Sequence, residues 1–302
     1  MTTGNNQQAI EEFETVINRY PGTEWAARAQ YNIGDAHYNT GEYELAVEAY
    51  QQVLNRYPRS SYIIQAINGI QYAQLSSGKM DSSSVILEEF LSDNPQSNTA
   101  DRLRFRQAEN TFQSGDYPTA IREFRQYLRV TNSDQLVPQV YANLGESYKQ
   151  IGEENRAIEA YELILSDFPQ SNQAPGALTS LGLLYFEKAE YEASNGYFNR
   201  LLTISNRFQQ EAYVGMGNAK LGQSNFVEAK DQFEAALQIN PNNANAQLGL
   251  AKVTFGQSNY TEARDLLFVI ADRNTTELGA ESQYLLGVIR KMEGNSTQAL
   301  EE

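Results

Sequence analysis

Along the whole chain a small residue is followed four positions later by a large apolar one, and the pair returns at a nearly fixed interval. The instances are Ala9/Phe13, Ala46/Tyr50, Ser83/Leu87, Ala120/Phe124, Ala157/Tyr161, Ser194/Phe198, Ala229/Phe233 and Ala263/Leu267, with Ala299 opening another. The five steps from Ala9 to Ser194 are each 37 residues, and the next three are 35, 34 and 36. A four-residue offset places both members of a pair on one face of a helix. Recurrence at this period marks a stacked array, in which each unit buries its apolar face against its neighbours instead of sharing one closed core.

Each pair is bracketed by punctuation at constant distance. Five residues before the small residue lies a turn-former: Gly4, Gly41, Gly78, Gly115, Gly152, Ala189, Ser224, Ser258 and Gly294. Twelve residues after it lies a helix stop: Pro21, Pro58, Pro95, Asn132, Pro169, Asn206, Pro241 and Thr275. One unit is therefore a helical hairpin. The remaining prolines agree, because proline costs about 3 kcal/mol inside a helix but is tolerated in its first turn. Pro118 opens a second helix, and Pro138 and Pro175 open first helices. The phrase Asn-Arg-Tyr-Pro, at Asn18 and again at Asn55, reads as the end of a second helix, with Tyr20 and Tyr57 as its last packing residues.

A second small-residue row runs through the first helices: Gly34, Gln71, Ala108, Gly145, Gly182, Gly217, Ala251 and Gly287. Absence of bulk there lets helices approach closely. Gln71, together with Ser83 in place of alanine, predicts looser packing in the unit containing Gly78.

The spacing of Leu144, Gly145 and Tyr148, the turn glycine, the small/large pair and the terminal proline together resemble the tetratricopeptide repeat (TPR). The resemblance implies an all-α fold, a right-handed α-solenoid superhelix of TPR hairpins with first helices lining a concave groove. It implies a single array over residues 1–302. A partial repeat at 1–23 precedes repeats at 24–60, 61–97, 98–134, 135–171, 172–208, 209–243 and 244–277, and a partial repeat at 278–302 comes last. Opening in a turn and ending inside a second helix, the chain reads as a segment of a longer array.

In the family, the last turn of each first helix faces the groove, which here means Tyr38, Leu75, Phe112, Lys149, Phe186, Leu221, Phe255 and Lys291. Tyr38, Phe112, Phe186 and Phe255 either line a peptide-binding wall or pack against the next hairpin. One turn nearer the helix starts, Asp35, Glu109 and Glu146 put negative charge where arrays that grip a C-terminal carboxylate need Lys and Asn. The expected partner is thus a basic or mixed apolar-polar protein segment. Repeats of 37 carrying Tyr57-Pro58-Arg59-Ser60 and Phe168-Pro169-Gln170-Ser171 are also similar to those of periplasmic Tol-Pal-associated and outer-membrane-assembly repeat proteins. That similarity points to a bacterial periplasm or cell envelope, with the cytoplasm as the alternative.

Composition narrows the function further. Lys and Arg total 23 against 38 Asp and Glu, a formal net charge of −15, and the cations do not cluster, which argues against nucleic acid as a partner. There is no cysteine, no apolar run long enough to span a bilayer and no phosphate-cradling Gly-rich loop after a strand. The single histidine, His37, occupies the slot of Tyr148 and Tyr185 and reads as an interhelical packing residue. No catalytic residue, cofactor or metal ligand set is expected. The leading expectation is a non-catalytic protein-binding scaffold, and the alternative is a substrate-recruiting TPR arm of a larger enzyme or cytoplasmic regulatory protein.

Overall fold

The computed structural model describes residues 3–78, 83–273 and 276–293, and over these it contains α-helices, one short 3-10 turn and no strand. The positions Thr275, Gly294 and Ala299 of the repeat pattern lie outside the described residues. The chain divides into two compact units, Met1–Ser147 and Tyr148–Glu302.

In the first unit α1 (Thr3–Arg19) is followed by α2 (Glu24–Asn39) and α3 (Tyr43–Arg56), α4 (Ile63–Ser76) and α5 (Ser83–Asp93), α6 (Asn98–Gln113) and α7 (Tyr117–Val130). The division falls within α8 (Val137–Gln150). The second unit continues with α9 (Glu154–Asp167), α10 (Ala174–Glu187), α11 (Tyr191–Ile204), α12 (Gln209–Gly222), α13 (Phe226–Ile239), α14 (Ala244–Gly256), α15 (Tyr260–Arg273) and α16 (Glu277–Met292). Most of these helices have 14 to 16 residues, a length marginal in isolation, so they depend on packing of one face.

The small/large pairs form that face. Ala46, Ala120, Ala157, Ser194, Ala229 and Ala263 are wholly buried, and the aromatic or apolar partners beside them are buried too. Ser194 satisfies its hydroxyl by donating to the Gly182 carbonyl at 2.7 Å. Turns behave as the spacing demands. Gly41, Gly78, Gly115 and Gly152 take positive φ of 77° to 84°. Ala189, Ser224 and Ser258 adopt the same left-handed region at 57° to 63° despite their Cβ atoms.

Two readings of the sequence need correction. Gly4 lies within α1, which begins at Thr3, and is not in a turn. Tyr20 is 57% exposed and ends nothing by packing, whereas Tyr57 is buried. Tyr57 owes its burial to α2, where Ala26 and Ala27 cluster with its ring. His37, whose side chain is only 19% exposed, packs between helices as expected and in addition bonds to Glu42 across the turn.

The Tyr-Pro-x-Ser phrase ties neighbouring hairpins. Ser60 is buried, and its hydroxyl donates to Glu24 Oε1 at 3.0 Å, while the Ser61 amide donates to the same oxygen at 2.9 Å and the Ser61 hydroxyl adds a third bond. Clefts of about 360 Å³ and 420 Å³ flank α5, toward Leu54 and Asn55 of α3 and toward Arg122 and Gln126 of α7.

Candidate functional site

Tyr50 shows how the fold builds its most distinctive surface. From α3 its ring, 2% exposed, passes between the backbones of α2 and α4. A Cβ on Gly34 would stand 2.4 Å from the ring and one on Gly69 2.6 Å, so only glycine admits it on either side. The tyrosine hydroxyl emerges on the far side and donates to Asp35 Oδ1 at 2.6 Å. The second unit repeats the sandwich with Phe198 between Gly182 and Gly215, and with Phe233 between Gly217 and Gly249. Those rings carry no hydroxyl.

Sequence reasoning identified Gly34, Gly182 and Gly217 but missed Gly69, Gly215 and Gly249. These stand two residues before the small-residue row of the next hairpin, at Gln71, Gly217 and Ala251. A second glycine row at that offset was the available signal.

Beyond the ring lies a cleft of about 280 Å³ between α2 and α4. Tyr31, Asp35 and Tyr38 line it from α2, and Gln65, Asn68 and Tyr72 from α4. Tyr31 packs on Tyr50 and Tyr62, with centroids 5.4 and 5.5 Å apart. Tyr38 rests on Tyr43 at 5.5 Å, and its hydroxyl is 3.2 Å from Ser76 Oγ. Tyr72 is 62% exposed. Burial, and then the Asp35 carboxylate, pushes Tyr31 up to about 12 and raises Tyr50 as well. Both phenols therefore stay protonated as hydrogen-bond donors in neutral solution.

Of the seven groove residues expected from the repeat, only Tyr38 and Asp35 share this cleft. Phe112 is half-buried, with Tyr117 at 5.9 Å and Phe124 at 6.4 Å. Phe186 meets Tyr191 at 5.5 Å, and Phe255 meets Tyr260 at 5.7 Å. A common rule holds: an aromatic residue in the last turn of a first helix packs on the aromatic that opens its own second helix, five positions later. Such rings close the hairpin mouth and are half-buried there. Glu109 and Glu146 are half-buried on α6 and α8. In the His37 tie, Nδ1 lies 2.9 Å from Glu42 Oε2, which also accepts from the Thr40 hydroxyl at 2.9 Å. These bonds, His37 first, hold the Glu42 carboxyl below the usual carboxylate range and fasten the α2–α3 turn.

Among the described residues no group of three or more His, Asp or Glu side chains could hold a metal ion. At the register position of Asp35, α14 carries Lys252, whose Nζ is 2.6 Å from Glu281 Oε1 on α16. One pair of first helices thus holds a carboxylate and the other a satisfied cation.

Similarity to known proteins tracks the repeat. The profile of the outer membrane lipoprotein family YfiO matches residues 27–201, and a tetratricopeptide repeat profile matches residues 220–284. A curated relative, the general transcriptional corepressor trfA of Dictyostelium discoideum, is 29% identical over 103 residues, which is 34% of this chain and 7% of that protein. The chain thus spans a small fraction of that relative's length. Among solved structures, PilF of Pseudomonas aeruginosa superposes with a TM-score of 0.53 at 19% identity, over 68% of this chain and 89% of that one. The C-terminal part of a TPR repeat-containing protein from Cytophaga hutchinsonii gives 0.52 at 15% identity, over 82% and 95%. Yeast Tom70 gives 0.50 at 15% identity, over 96% and 60%. At these identities the likeness establishes the fold, a TPR solenoid.

Proposed function

The chain belongs to the outer membrane lipoprotein family YfiO, and on that footing we propose that it is a non-catalytic scaffold of the bacterial cell envelope that holds a segment of a partner protein against its first helices. TPR folds serve protein–protein interaction. The observation that supports a bound segment here is the open aromatic cleft between α2 and α4, where Tyr38 and Tyr72 flank Asp35. Aromatic anchors in such positions dominate the energy of segment recognition. Within the first unit Phe112, with Glu109 and Glu146, offers further contact on α6 and α8, and the second unit carries equivalent aromatic residues of its own in Phe186 and Phe255. Carboxylates at Asp35, Glu109 and Glu146 and the net charge of −15 favour a basic or mixed apolar-polar segment.

Envelope placement rests on the family and on the 37-residue period. Among the described residues, no helix is long and apolar enough to cross a membrane.

A photo-crosslinking amino acid tests the reading. Placed at position 72 in the native host, it captures a protein partner, while the same probe at Val227, 69% exposed on the second helix α13, does not. Equal labelling from both positions would refute segment binding at the first helices. Fractionation of the same cells tests the envelope assignment, which a purely cytoplasmic pool would overturn.

A further inference from the structure

Asp35 is the one charged side chain among the residues lining the α2/α4 cleft. Its carboxylate has capacity for several hydrogen bonds; the Tyr50 hydroxyl occupies one and the Tyr31 hydroxyl also bonds to it, which leaves further lone-pair positions open. Among the described residues no Lys, Arg or His forms an ion pair with it. Tyr31, Tyr38 and Tyr72 line the same cleft, as does the neutral Gln65 on α4. The other end of the chain shows what this pair of positions accepts. At the register of Asp35 and Gln65, α14 and α16 carry Lys252 and Glu281, in contact at 2.6 Å. Two adjacent first helices in this protein therefore bring a cation and a carboxylate together, both partly exposed. In the α2/α4 cleft the carboxylate is present and the cation is missing.

From this we infer that the α2/α4 cleft is a subsite for an arginine side chain of the bound partner segment. The inference rests on the scaffold reading and names the residue that reading leaves open. A guanidinium fits on three counts. Its N–H fork can donate to the remaining lone pairs of Asp35. Its flat face can lie on Tyr72, whose exposed ring offers a cation–π surface. Its weak hydration lowers the cost of entering a cleft walled by phenol rings, which sets it apart from a lysine ammonium. Charge complementarity acts in the same direction, because the cleft lining carries a carboxylate and no cation.

The experiment is a titration of the isotopically labelled full chain with acetyl-Gly-Arg-Gly-amide, and in parallel with the Lys and Gln versions of that peptide. It is read on the backbone amide signals of Asp35, Asn68 and Tyr72. The arginine peptide produces saturable shifts centred on the cleft, the lysine peptide binds more weakly, and the glutamine peptide binds at least about tenfold more weakly. Asp35→Asn, which keeps an acceptor for Tyr50, shows the same loss as the glutamine peptide. Tyr72→Ala removes an exposed ring and weakens arginine binding by about threefold, with an unchanged thermal midpoint. Equal binding of the arginine and glutamine peptides, or full binding by Asp35→Asn, would overturn the assignment. The crosslink at position 72 separates this outcome from failure of the scaffold reading. A protein whose capture is undiminished when excess arginine peptide is present during irradiation leaves the scaffold standing and removes the arginine subsite. Saturable arginine binding with no captured protein does the reverse.

Discussion

Replacing Gly69 by alanine should destabilise the first unit, although the same change normally strengthens a helix. Gly69 lies inside α4, where alanine is favoured over glycine by about 1 kcal/mol. The new Cβ would lie 2.6 Å from Tyr50 Cζ and 2.7 Å from Cε2. Ordinary contact begins at 3.4 Å, so the ring or the helix must yield by about 0.8 Å. The ring cannot retreat, because a Cβ drawn on Gly34 at its other face would already stand 2.4 Å away, showing how closely α2 confines it. Overpacking of this kind costs roughly 1–3 kcal/mol, which exceeds the propensity gain and leaves a net loss on the order of 1 kcal/mol. Gly196, exposed in the interior of α11 with nothing within 4 Å of its would-be Cβ, is the matched control and should gain up to about 1 kcal/mol on the same substitution. Urea midpoints followed by the helical circular-dichroism signal should therefore move in opposite directions for the two variants. In a Tyr50→Leu background, adding Gly69→Ala should no longer cost stability, since the obstructed ring is gone. A midpoint that rises for Gly69→Ala as it does for Gly196→Ala would refute the ring-between-glycines account.

Other expectations rest on single features. Ala189→Gly should raise stability by roughly 1 kcal/mol, because alanine at φ 57° is held in a region that disfavours a Cβ, while Gly152→Ala at φ 78° should lower it by a similar amount; paired denaturation curves check both. Glu24 is pushed up by burial, but the Ser61 hydroxyl, the Ser61 amide and the Ser60 hydroxyl outweigh this and hold its carboxyl low. With a folded pKa below the unfolded one, its contribution is present above the ordinary carboxylate value of 4.5 and is lost as pH falls through the lowered folded value. The melting-temperature gap between wild type and Glu24→Gln should accordingly be widest near neutrality and close in acid; a gap independent of pH would contradict the bonding seen. Phe112→Ala should lower the thermal midpoint by an amount corresponding to roughly 1–2 kcal/mol, because its ring packs on Tyr117 and Phe124; unchanged stability would return it to a purely partner-facing role.

Whatever depends on neighbours along the chain was legible from residue order alone. Small and large residues four apart, a left-handed turn residue five before them and a stop twelve after are properties of one hairpin, and they recover the helical array down to Pro118, Pro138 and Pro175. Even the substitutions at Ala189, Ser224 and Ser258 kept the turn conformation, because the hairpin around them is closed by many other contacts. The binding face was only half legible. Asp35 and Tyr38 were visible as a ladder, since their spacing repeats. That the Tyr50 hydroxyl reaches Asp35 from another helix, that Gly69 rather than Gln71 faces that ring, and that Phe112, Phe186 and Phe255 lean on their own second helices depend on the register of one helix against the next. Register is set by side-chain volumes meeting across a gap between elements. A periodic sequence names the rows that will meet, and only packing in three dimensions decides which members of those rows touch.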